Sequence, residues 1–278
     1  MKKWIKILLY YVRYITVHWR KYPDFLIIGT QKGGTTFLYQ CLKKHPHIFM
    51  PMTKEIHYFD SNFYKSPKWY RSFFPLRIFH KKKTGEATPY YLFHPLVAER
   101  IYKMMPEIKL IILLRNPVDR AVSHFNMMQR KGFETSMSFA AALEKEEERL
   151  QPEYEKFHTC PYYKSHNHQH HSYVSRGMYS EQLKRYFRYF DRNQLLILKS
   201  EDFFSNPVEV LQKIFKFLGV KPFHPKIKNT RSSYETVELS EVTLSMLKQK
   251  FYKELQSLHQ LLGENFSWDF DKSRYLKK

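Results

Sequence analysis

Cysteine is nearly absent from this chain, with only Cys41 and Cys160 among its 278 residues. Two cysteines cannot form the disulfide framework of a small secreted domain, so we expect a reducing, cytoplasmic environment. The apolar stretch near the N-terminus is too short to span a bilayer, which needs ~20 residues. It also lacks a small-residue cleavage site, so we expect no signal peptide. The sequence contains no internal repeat and no low-complexity linker, which favours a single domain.

Acidic residues are scarce, because 26 Asp and Glu stand against 47 Lys and Arg, giving a formal net charge of +21. Such a surface attracts polyanions, anionic membranes or anionic substrates, and it indicates the kind of partner rather than the fold. Hydrophobic residues make up 43% of the chain and aromatic residues 17%, a composition typical of a globular protein with a sizeable core.

A strand, a glycine-containing loop and a helix are predicted in succession over residues 25–43. This arrangement holds phosphate through backbone N–H groups and a helix N-terminus. A nucleoside triphosphate loop requires G-x-x-x-x-G-K-[ST]. Gly29 and Gly34 have that separation, but Thr35 occupies the lysine position and the lysine lies earlier, at Lys32. The loop is therefore predicted to bind phosphate but to fit ATP with magnesium poorly.

The clearest buried strand is predicted over residues 109–114, and Arg115 stands at its carboxyl end. Asn116 is a candidate N-cap, and the helix that it begins continues past Ser123. Ligands of open α/β sheets bind outside the carboxyl ends of strands. We therefore expect Arg115 to face the same crevice as the loop that contains Lys32.

Strands and helices alternate along the rest of the chain. The pattern predicts an α/β fold, with a single domain built on a central, mainly parallel sheet flanked by helices. The remaining predicted elements are helices over 95–104, 138–149, 180–189, 207–218 and 240–262 and a strand over 194–199.

Residues 1–22 are predicted to form a basic amphipathic helix, and residues 23–278 the main domain. One interpretation packs this helix on the domain. The other places residues 1–21 at a membrane surface, because the apolar face is flanked by lysine and arginine.

Residues 151–172 show no periodicity and are predicted to form a mobile lid. The segment is rich in histidine, a common metal ligand, but no cysteine or carboxylate accompanies these residues at ligand spacing, so we expect no metal site. The histidines are His158, His166, His168, His170 and His171.

The chain resembles the sulfotransferases that use 3′-phosphoadenosine 5′-phosphosulfate (PAPS), and in particular the branch of heparan sulfate sulfotransferases and their bacterial relatives. The resemblance lies in the order of five motifs over about residues 24–270. These are I-I-G-T-Q-K-G-G-T-T (27–36), K-E-I-H-Y-F-D (54–60), G-E-A-T-P-Y-Y (85–91), L-L-R-N-P-V-D-R-A-V-S-H (113–124) and N-F-S-W (265–268).

The resemblance implies a P-loop-like phosphosulfate-binding loop. Arg115 and Ser123 would bind the 3′-phosphate, and a basic loop containing Lys228 and Arg231 would close over the nucleotide. The 5′-phosphosulfate would be held by Lys32, Gly33, Gly34, Thr35 and Thr36.

The resemblance also implies that Glu55 is the catalytic base, with His57 and Asp60 in support. His57 is the second candidate for the base. Lys32 would stabilise the leaving phosphate, and the reaction would need no metal. Relatives acting on heparan sulfate carry a lysine where this chain has Ala87, which argues against a heparan-type acceptor.

Two other functions stay open at this point. A P-loop kinase would share the loop but requires the missing lysine. A basic polyanion-binding protein would account for the charge, although the basic residues are dispersed and no nucleic-acid module is recognisable, so no nucleic-acid partner is expected. The favoured prediction is transfer of a sulfuryl group from PAPS, with release of adenosine 3′,5′-bisphosphate (PAP). The acceptor would be a hydroxyl or amine of a glycan or small molecule.

Overall fold

A five-stranded, all-parallel sheet forms the centre of the structure, a computed structural model that describes residues 12–79, 81–225, 239–268 and 270. The strand order is β2-β3-β1-β4-β5. The parallel sheet confirms the α/β prediction. The strands are β1 (Phe25–Gly29), β2 (Ile48–Phe49), β3 (Lys83–Ala87), β4 (Lys109–Leu114) and β5 (Leu195–Lys199).

Helices follow or precede every strand. Among the described residues, short 3-10 turns lie at Val17–Trp19, Arg77–Phe79, Ser175–Gly177 and Arg192–Gln194. The α-helices are α1 (Thr35–Lys43), α2 (Pro67–Arg71), α3 (Val97–Met104), α4 (Pro117–Arg130), α5 (Phe139–Glu144), α6 (Glu146–Thr159), α7 (His166–His170), α8 (Tyr179–Phe187), α9 (Ser200–Ser205), α10 (Pro207–Leu218) and α11 (Glu241–Leu262).

Both faces of the sheet are buried. In β1, Leu26 and Ile28 pack into one hydrophobic cluster, whereas Phe25 and Ile27 pack into another. Because successive strand side chains point to opposite faces, this division shows that helices cover the sheet on both sides. The strand ends therefore remain as the edge at which polar groups can meet a ligand.

β1 pairs with β3 on one side and with β4 on the other, all in parallel. The chain thus passes from the central strand to both of its neighbours, which is the topological switch point where α/β sheets open a crevice. At the carboxyl edge, the ends of β3, β1, β4 and β5 lie side by side in that order.

The sequence predictions and the structure differ most over residues 151–172. The structure continues α6 to Thr159 and forms α7 at His166–His170, so the interpretation of this segment as aperiodic is wrong. His168 is buried, stacks on Phe93 with ring centroids 4.2 Å apart, and bonds to the Tyr90 hydroxyl. Histidine acts here as an aromatic core residue, which hydropathy does not reveal. Whether the segment moves as a lid stays a prediction.

The N-terminal helix ends earlier in the structure than the sequence predicts. Residues 1–11 lie outside the described residues. Residues 12–15 are helical, and the 3-10 turn Val17–Trp19 follows. Arg20 then becomes extended and bridges to Leu76, so the helix stops before the predicted residue 22. Among the helices within the described residues, none has the length and apolar character needed to cross a bilayer.

Candidate active site

The loop between β1 and α1 is held to the neighbouring strand by its backbone. The Thr30 N–H donates to the Leu113 carbonyl at 2.8 Å, and the Gly33 N–H donates to the Thr30 carbonyl at 2.9 Å. Gly34 is the N-cap of α1 and offers no capping side chain. The first amides of this nine-residue helix, at Thr35 and Thr36, are therefore placed to bind an anion.

Glycine is required at both positions of the Gly33-Gly34 pair. A Cβ at Gly33 would lie 2.7 Å from the Leu113 carbonyl oxygen, closer than real Cβ atoms approach. Gly34 has φ +92°, the left-handed conformation that glycine adopts at little cost. The loop can pack this closely on β4 because Gly33 has no side chain, and the missing side chain of Gly34 leaves room for the Phe204 ring.

Lys32 points its amine toward α4, where Nζ lies 3.9 Å from Met127 Sδ. Burial and the positive charges of Arg115, Arg130, Lys131 and Arg120 together lower the Lys32 pKa to about 8. Lys32 is still mostly charged at pH 7. Because the charges acting on it are cations, an anion bound among them would be stabilised by all of them.

Arg115 and Ser123 surround the same space. Arg115 is buried at the end of β4 and donates from Nη1 to the Lys32 carbonyl at 3.0 Å. Ser123 lies one turn before Met127 on the same face of α4, and Met127 contacts the Lys32 amine. The structure thus brings Lys32, Arg115 and the Ser123 face of α4 together.

Glu55, His57 and Asp60 form a chain of contacts. Glu55 Oε2 lies 3.6 Å from His57 Nε2, and His57 Nδ1 lies 2.7 Å from Asp60 Oδ2. The other Glu55 oxygen pairs with Lys54. Asp60 is fully buried, whereas 41% of the Glu55 side chain is exposed. The carboxylate that faces solvent is thus oriented by a histidine that a buried carboxylate holds.

The contacts set the charges of these groups. Burial opposes protonation of His57, but hydrogen bonds to Asp60 and Glu55 outweigh it and raise the His57 pKa to about 10. Burial also opposes ionisation of Glu55, but His57 and Lys54 lower the Glu55 pKa to about 2. At neutral pH Glu55 is therefore an anion able to accept a proton, whereas both His57 nitrogens already carry hydrogen.

Three of these residues have strained backbones. Lys32, Glu55 and His57 have φ values of 71°, 61° and 55°, in the left-handed region that non-glycine residues rarely adopt. Each such residue costs on the order of 1–3 kcal/mol and persists only where its surroundings enforce it. Within the described part of the chain, Ser267 is the other non-glycine residue with positive φ. Strain is therefore concentrated at the predicted site.

The sheet places these groups in a definite lateral order. The Glu55 N–H donates to the Ala87 carbonyl at the end of β3 at 3.0 Å. Lys32 follows β1, and Arg115 follows β4. Since neighbouring strands lie ≈ 4.7–4.9 Å apart, the acidic group, the loop lysine and the arginine follow one another across adjacent strand ends.

Sequence reasoning missed two residues after β5. The Ser200 hydroxyl donates to the Gly33 carbonyl at 2.8 Å. Glu201 accepts from the Asn116 N–H at one oxygen and from Trp268 Nε1 at the other, both at 2.9 Å. These residues fix the phosphate loop and the Arg115 turn to each other. The strand-end rule applied to Arg115 would also have found them, because β5 ends at Lys199.

Arg176 was also missed. It is almost fully buried, bonds to the Gln31 side chain in the loop, and donates from Nη2 to the His168 carbonyl at 3.0 Å. Burial lowers the Arg176 pKa to about 9. Arg176 therefore joins the loop to α7, and nothing in its own sequence neighbourhood indicated that role.

Lys228 and Arg231 lie outside the described residues. Within the ranges that the structure describes, no three His, Cys, Asp or Glu side chains are grouped so as to hold a metal ion.

Comparison with known proteins identifies the family. Residues 22–263 match the family described as Sulfotransferase domain. The chain belongs to the sulfotransferase family. It is therefore a transferase domain, from a family of enzymes that draw the sulfuryl group from PAPS.

Similar proteins include two curated relatives. Membrane-associated sulfotransferase kil1 of Dictyostelium discoideum is 26% identical over 312 residues, which cover 88% of this chain and 66% of kil1. Heparan sulfate glucosamine 3-O-sulfotransferase 5 of Mus musculus is 32% identical over 212 residues, covering 72% of this chain and 54% of that protein. The chain thus spans about half to two thirds of the length of these relatives.

Solved structures agree on the fold. A sulfotransferase from Alicyclobacillus acidocaldarius is 31% identical, with a TM-score of 0.74 and coverage of 89% of this chain and 98% of the other. Mouse sulfotransferase SULT7A1 complexed with PAP is 15% identical, with a TM-score of 0.53 and coverage of 88% and 90%, and shares the fold alone.

The residues present fit such a donor. The close-packed glycines open the loop backbone to a phosphosulfate, and buried or half-buried cations at Lys32 and Arg115 match its charge.

Proposed function

We propose that this domain transfers a sulfuryl group from PAPS to a hydroxyl or amine of a glycan or small-molecule acceptor. Glu55 acts as the base and Lys32 stabilises the leaving phosphate. The observation that carries this proposal is the order of Glu55, Lys32 and Arg115 across the ends of β3, β1 and β4. In an in-line transfer the acceptor would lie at Glu55, the 5′-phosphosulfate at Lys32 and the 3′-phosphate at Arg115, which is the same order.

The loop supplies charge where the leaving oxygen gains it. The Lys32 amine and the first amides of α1 are fixed before the reaction, so they stabilise the developing negative charge without reorganising. Arg115 holds the Lys32 carbonyl and, with the α4 face of Ser123, binds the 3′-phosphate. The donor supplies the sulfuryl group, and its phosphate leaves as PAP.

Glu55 is favoured over His57 as the base because of their charges. Glu55 is ionised at neutral pH, whereas the raised pKa of His57 keeps that ring protonated. A protonated imidazole cannot accept the acceptor's proton. His57 instead orients Glu55 through the 3.6 Å contact and is held by Asp60.

A surface next to the acidic group supports a glycan as the acceptor. Tyr64 and Tyr162 are more than half exposed. The Lys164 amine lies 4.6 Å from the centre of the Tyr64 ring, and Lys65 Nζ lies 3.9 Å from the Trp69 ring. Exposed rings offer flat apolar faces to sugars, and the lysines attract acidic substituents. Ala87 is buried and accepts from the Glu55 N–H, so it cannot make the acceptor contact that the resemblance assigns to a lysine at this position.

The donor assignment is tested by calorimetry on the folded protein. We expect PAP to bind without magnesium and Mg-ATP to bind weakly or not at all. Clear uptake of Mg-ATP with no heat from PAP would overturn the proposal and favour a kinase. Salt-sensitive binding of polyanions without PAP affinity would favour a non-enzymatic polyanion-binding protein.

The acceptor is tested by transfer of labelled sulfate from PAPS to a panel of glycans, alcohols and amines. We expect transfer to at least one glycan, and label only in small alcohols would limit the proposal to small-molecule acceptors. Transfer to none of them, by a protein that binds PAP, would refute the catalytic assignment.

Peripheral contact of residues 1–21 with an anionic membrane is a further part of this proposal, for a cytoplasmic enzyme. The side chains of Ile15, Trp19 and Ile78 are 71%, 65% and 72% exposed. The antiparallel bridge between Arg20 and Leu76 joins the two chain segments that carry these side chains. Exposed apolar tips among basic residues are typical of interfacial segments, and kil1 is named as membrane-associated.

A further inference from the structure

A buried carboxyl group lies under the loop that carries Glu55. Glu86, on β3, is 1% exposed. Its oxygens accept hydrogen bonds from the hydroxyls of Tyr70, Thr88 and Tyr91 at 2.5, 2.7 and 2.8 Å. A buried carboxyl is unfavourable unless its oxygens are hydrogen-bonded, and three hydroxyl donors meet that need.

Two of these hydroxyls also accept hydrogen bonds from the loop. The Tyr91 oxygen accepts from the Tyr58 N–H at 2.9 Å and from the Phe59 N–H at 3.4 Å. The Thr88 oxygen accepts the longer contact from the His57 N–H, at 3.5 Å. Each hydroxyl has one hydrogen. Its oxygen accepts from the loop, and its hydrogen is donated to Glu86.

The chain of contacts ends on a strained part of the backbone. Glu55 and His57 both have positive φ, and the three amides that reach the hydroxyls are those of residues 57, 58 and 59. Such a conformation persists only where several contacts enforce it together. The loop is also anchored by the Glu55 N–H on the Ala87 carbonyl, by Asn62 on the Ile56 and His57 carbonyls, and by Arg100 on the Phe59 carbonyl.

We propose that Glu86 is a positioning residue for the catalytic base. Through the hydroxyls of Tyr91 and Thr88 it holds the amides of residues 57–59, and so keeps Glu55, His57 and Asp60 in contact. Its role in catalysis rests on the function proposed above, whereas its role in holding His57 does not.

The direction of the hydrogen bonds shows which form of Glu86 serves this role. Burial raises the Glu86 pKa above its ordinary value, although the three hydroxyl hydrogen bonds oppose the rise. Only the carboxylate can accept from all three hydroxyls at once. Tyr70 donates the third of these hydrogen bonds and stacks on Tyr58 with ring centroids 4.5 Å apart.

The chain provides a matched pair of variants. Tyr91→Phe removes the hydroxyl between Glu86 and the loop. Tyr186→Phe removes an equally buried hydroxyl that donates to the Tyr91 carbonyl at 2.9 Å, away from the loop amides. Tyr186→Phe loses one buried hydrogen bond. Tyr91→Phe loses its donation to Glu86 and the bonds from the Tyr58 and Phe59 N–H groups. A general loss of stability would affect both variants, but only Tyr91→Phe releases the loop.

The primary measurement is the titration of His57 by NMR in the protein without acceptor. The charged groups that face His57 are Asp60 and Glu55, and Glu55 also forms an ion pair with Lys54. In the unmodified protein we expect a His57 pKa of about 10. In Tyr91→Phe it should fall by at least about one unit, because the loop releases its carboxylate partners. Tyr186→Phe should leave it unchanged.

The second measurement is turnover. We expect kcat of Tyr91→Phe to fall on the order of tenfold or more, with unchanged PAP affinity and near-normal turnover in Tyr186→Phe. An unchanged His57 titration in Tyr91→Phe would overturn the proposal whatever the reaction is. A shifted titration in a protein that never transfers sulfate would instead refute the proposed function alone.

Thr88 and Glu86 provide a second route if Tyr91→Phe fails to fold. Thr88→Ser keeps the hydroxyl and Thr88→Val removes it at similar volume. The proposal requires that Thr88→Val and Glu86→Gln lower the His57 pKa. Thr88→Ser, which keeps the hydroxyl, should leave the His57 pKa unchanged. Equal titrations in all three would overturn it.

Discussion

At the residue scale, the site depends on side chains whose neighbours fix their charge. Lys32 is surrounded by cations, and Glu55 is joined to a protonated His57. The first arrangement attracts an anion, and the second keeps a proton acceptor ionised. The sequence shows the residues, but the charges follow only from which groups lie together in the fold.

Removing the proposed base should separate binding from turnover. Glu55→Gln keeps the size of the side chain but cannot take the acceptor's proton, so we expect kcat to fall by ~10²–10⁴. PAP affinity should be retained, because Glu55 bonds to Lys54 and His57 rather than to the phosphate loop. The measurement is labelled-sulfate transfer beside PAP calorimetry.

The control for this variant is Glu99→Gln, which makes the same chemical change at an exposed ion pair with Lys103. It should behave as the unmodified protein does. Full turnover by Glu55→Gln would remove Glu55 from its role.

Lys32 should make PAP binding depend on pH. Burial and nearby cations lower its pKa to about 8, and a bound anion raises it again. Above pH ~8 the free protein loses this charge, so the PAP dissociation constant should rise by up to about tenfold per pH unit. Below pH ~7 nearly all Lys32 amines are protonated, so the contribution of Lys32 to PAP affinity should no longer change with pH. Calorimetry from pH 6 to 10 measures this.

Lys32→Arg is the matched variant, since arginine stays charged throughout that range. Its PAP affinity should show a flatter profile above pH 8. Parallel profiles for the two proteins would show that another group titrates.

At the element scale, regular segments could be predicted from the sequence and the site network could not. The apolar run 109–114 and the Pro207–Leu218 helix closed by Gly219 match the structure, because their hydrophobic pattern and their ends are local signals. The segment 151–172 was misjudged because His168 packs as an aromatic core residue. Arg176 acts through the Gln31 side chain, 145 residues away in the sequence, so nothing local indicates it. Ser200 follows β5 and could have been found from its strand end, but its bond to the Gly33 carbonyl appears only in the fold.

The start of α4 should matter for nucleotide binding as well as for stability. Asn116 caps α4 by accepting from the Val118 and Asp119 N–H groups, and Asn206 caps α10 by accepting from the Glu209 N–H. Either asparagine changed to alanine should lower the free energy of unfolding by ~1 kcal/mol. Only Asn116→Ala should also weaken PAP binding, by about tenfold, because Arg115 immediately precedes this cap.

Denaturant titration and PAP calorimetry on Asn116→Ala and Asn206→Ala measure the two effects. Equal PAP affinities in the two variants would show that the cap does not position Arg115.

At the scale of the whole molecule, the charge of +21 acts in two different environments. The phosphate loop is partly buried, so its attraction for PAP is only weakly screened by salt. The exposed tips Ile15 and Trp19 lie on the segment that bridges to Leu76, and Arg77, Lys81 and Lys82, which follow Leu76 in the chain, are exposed. Attraction between exposed charges and a membrane is screened beyond a Debye length of ≈ 8 Å at physiological ionic strength.

The two environments should therefore respond differently to salt. We expect the protein to sediment with vesicles containing phosphatidylserine, less with purely phosphatidylcholine vesicles, and much less as salt rises, while PAP affinity changes little. Trp19→Ser should reduce vesicle binding, whereas Tyr252→Ser, at an exposed ring on α11, should not. If Trp19→Ser bound as the unmodified protein does, or if neutral vesicles bound equally well, the N-terminal surface would not be the membrane contact. The excess charge would then serve the acceptor, because a polyanionic glycan requires the same long-range attraction.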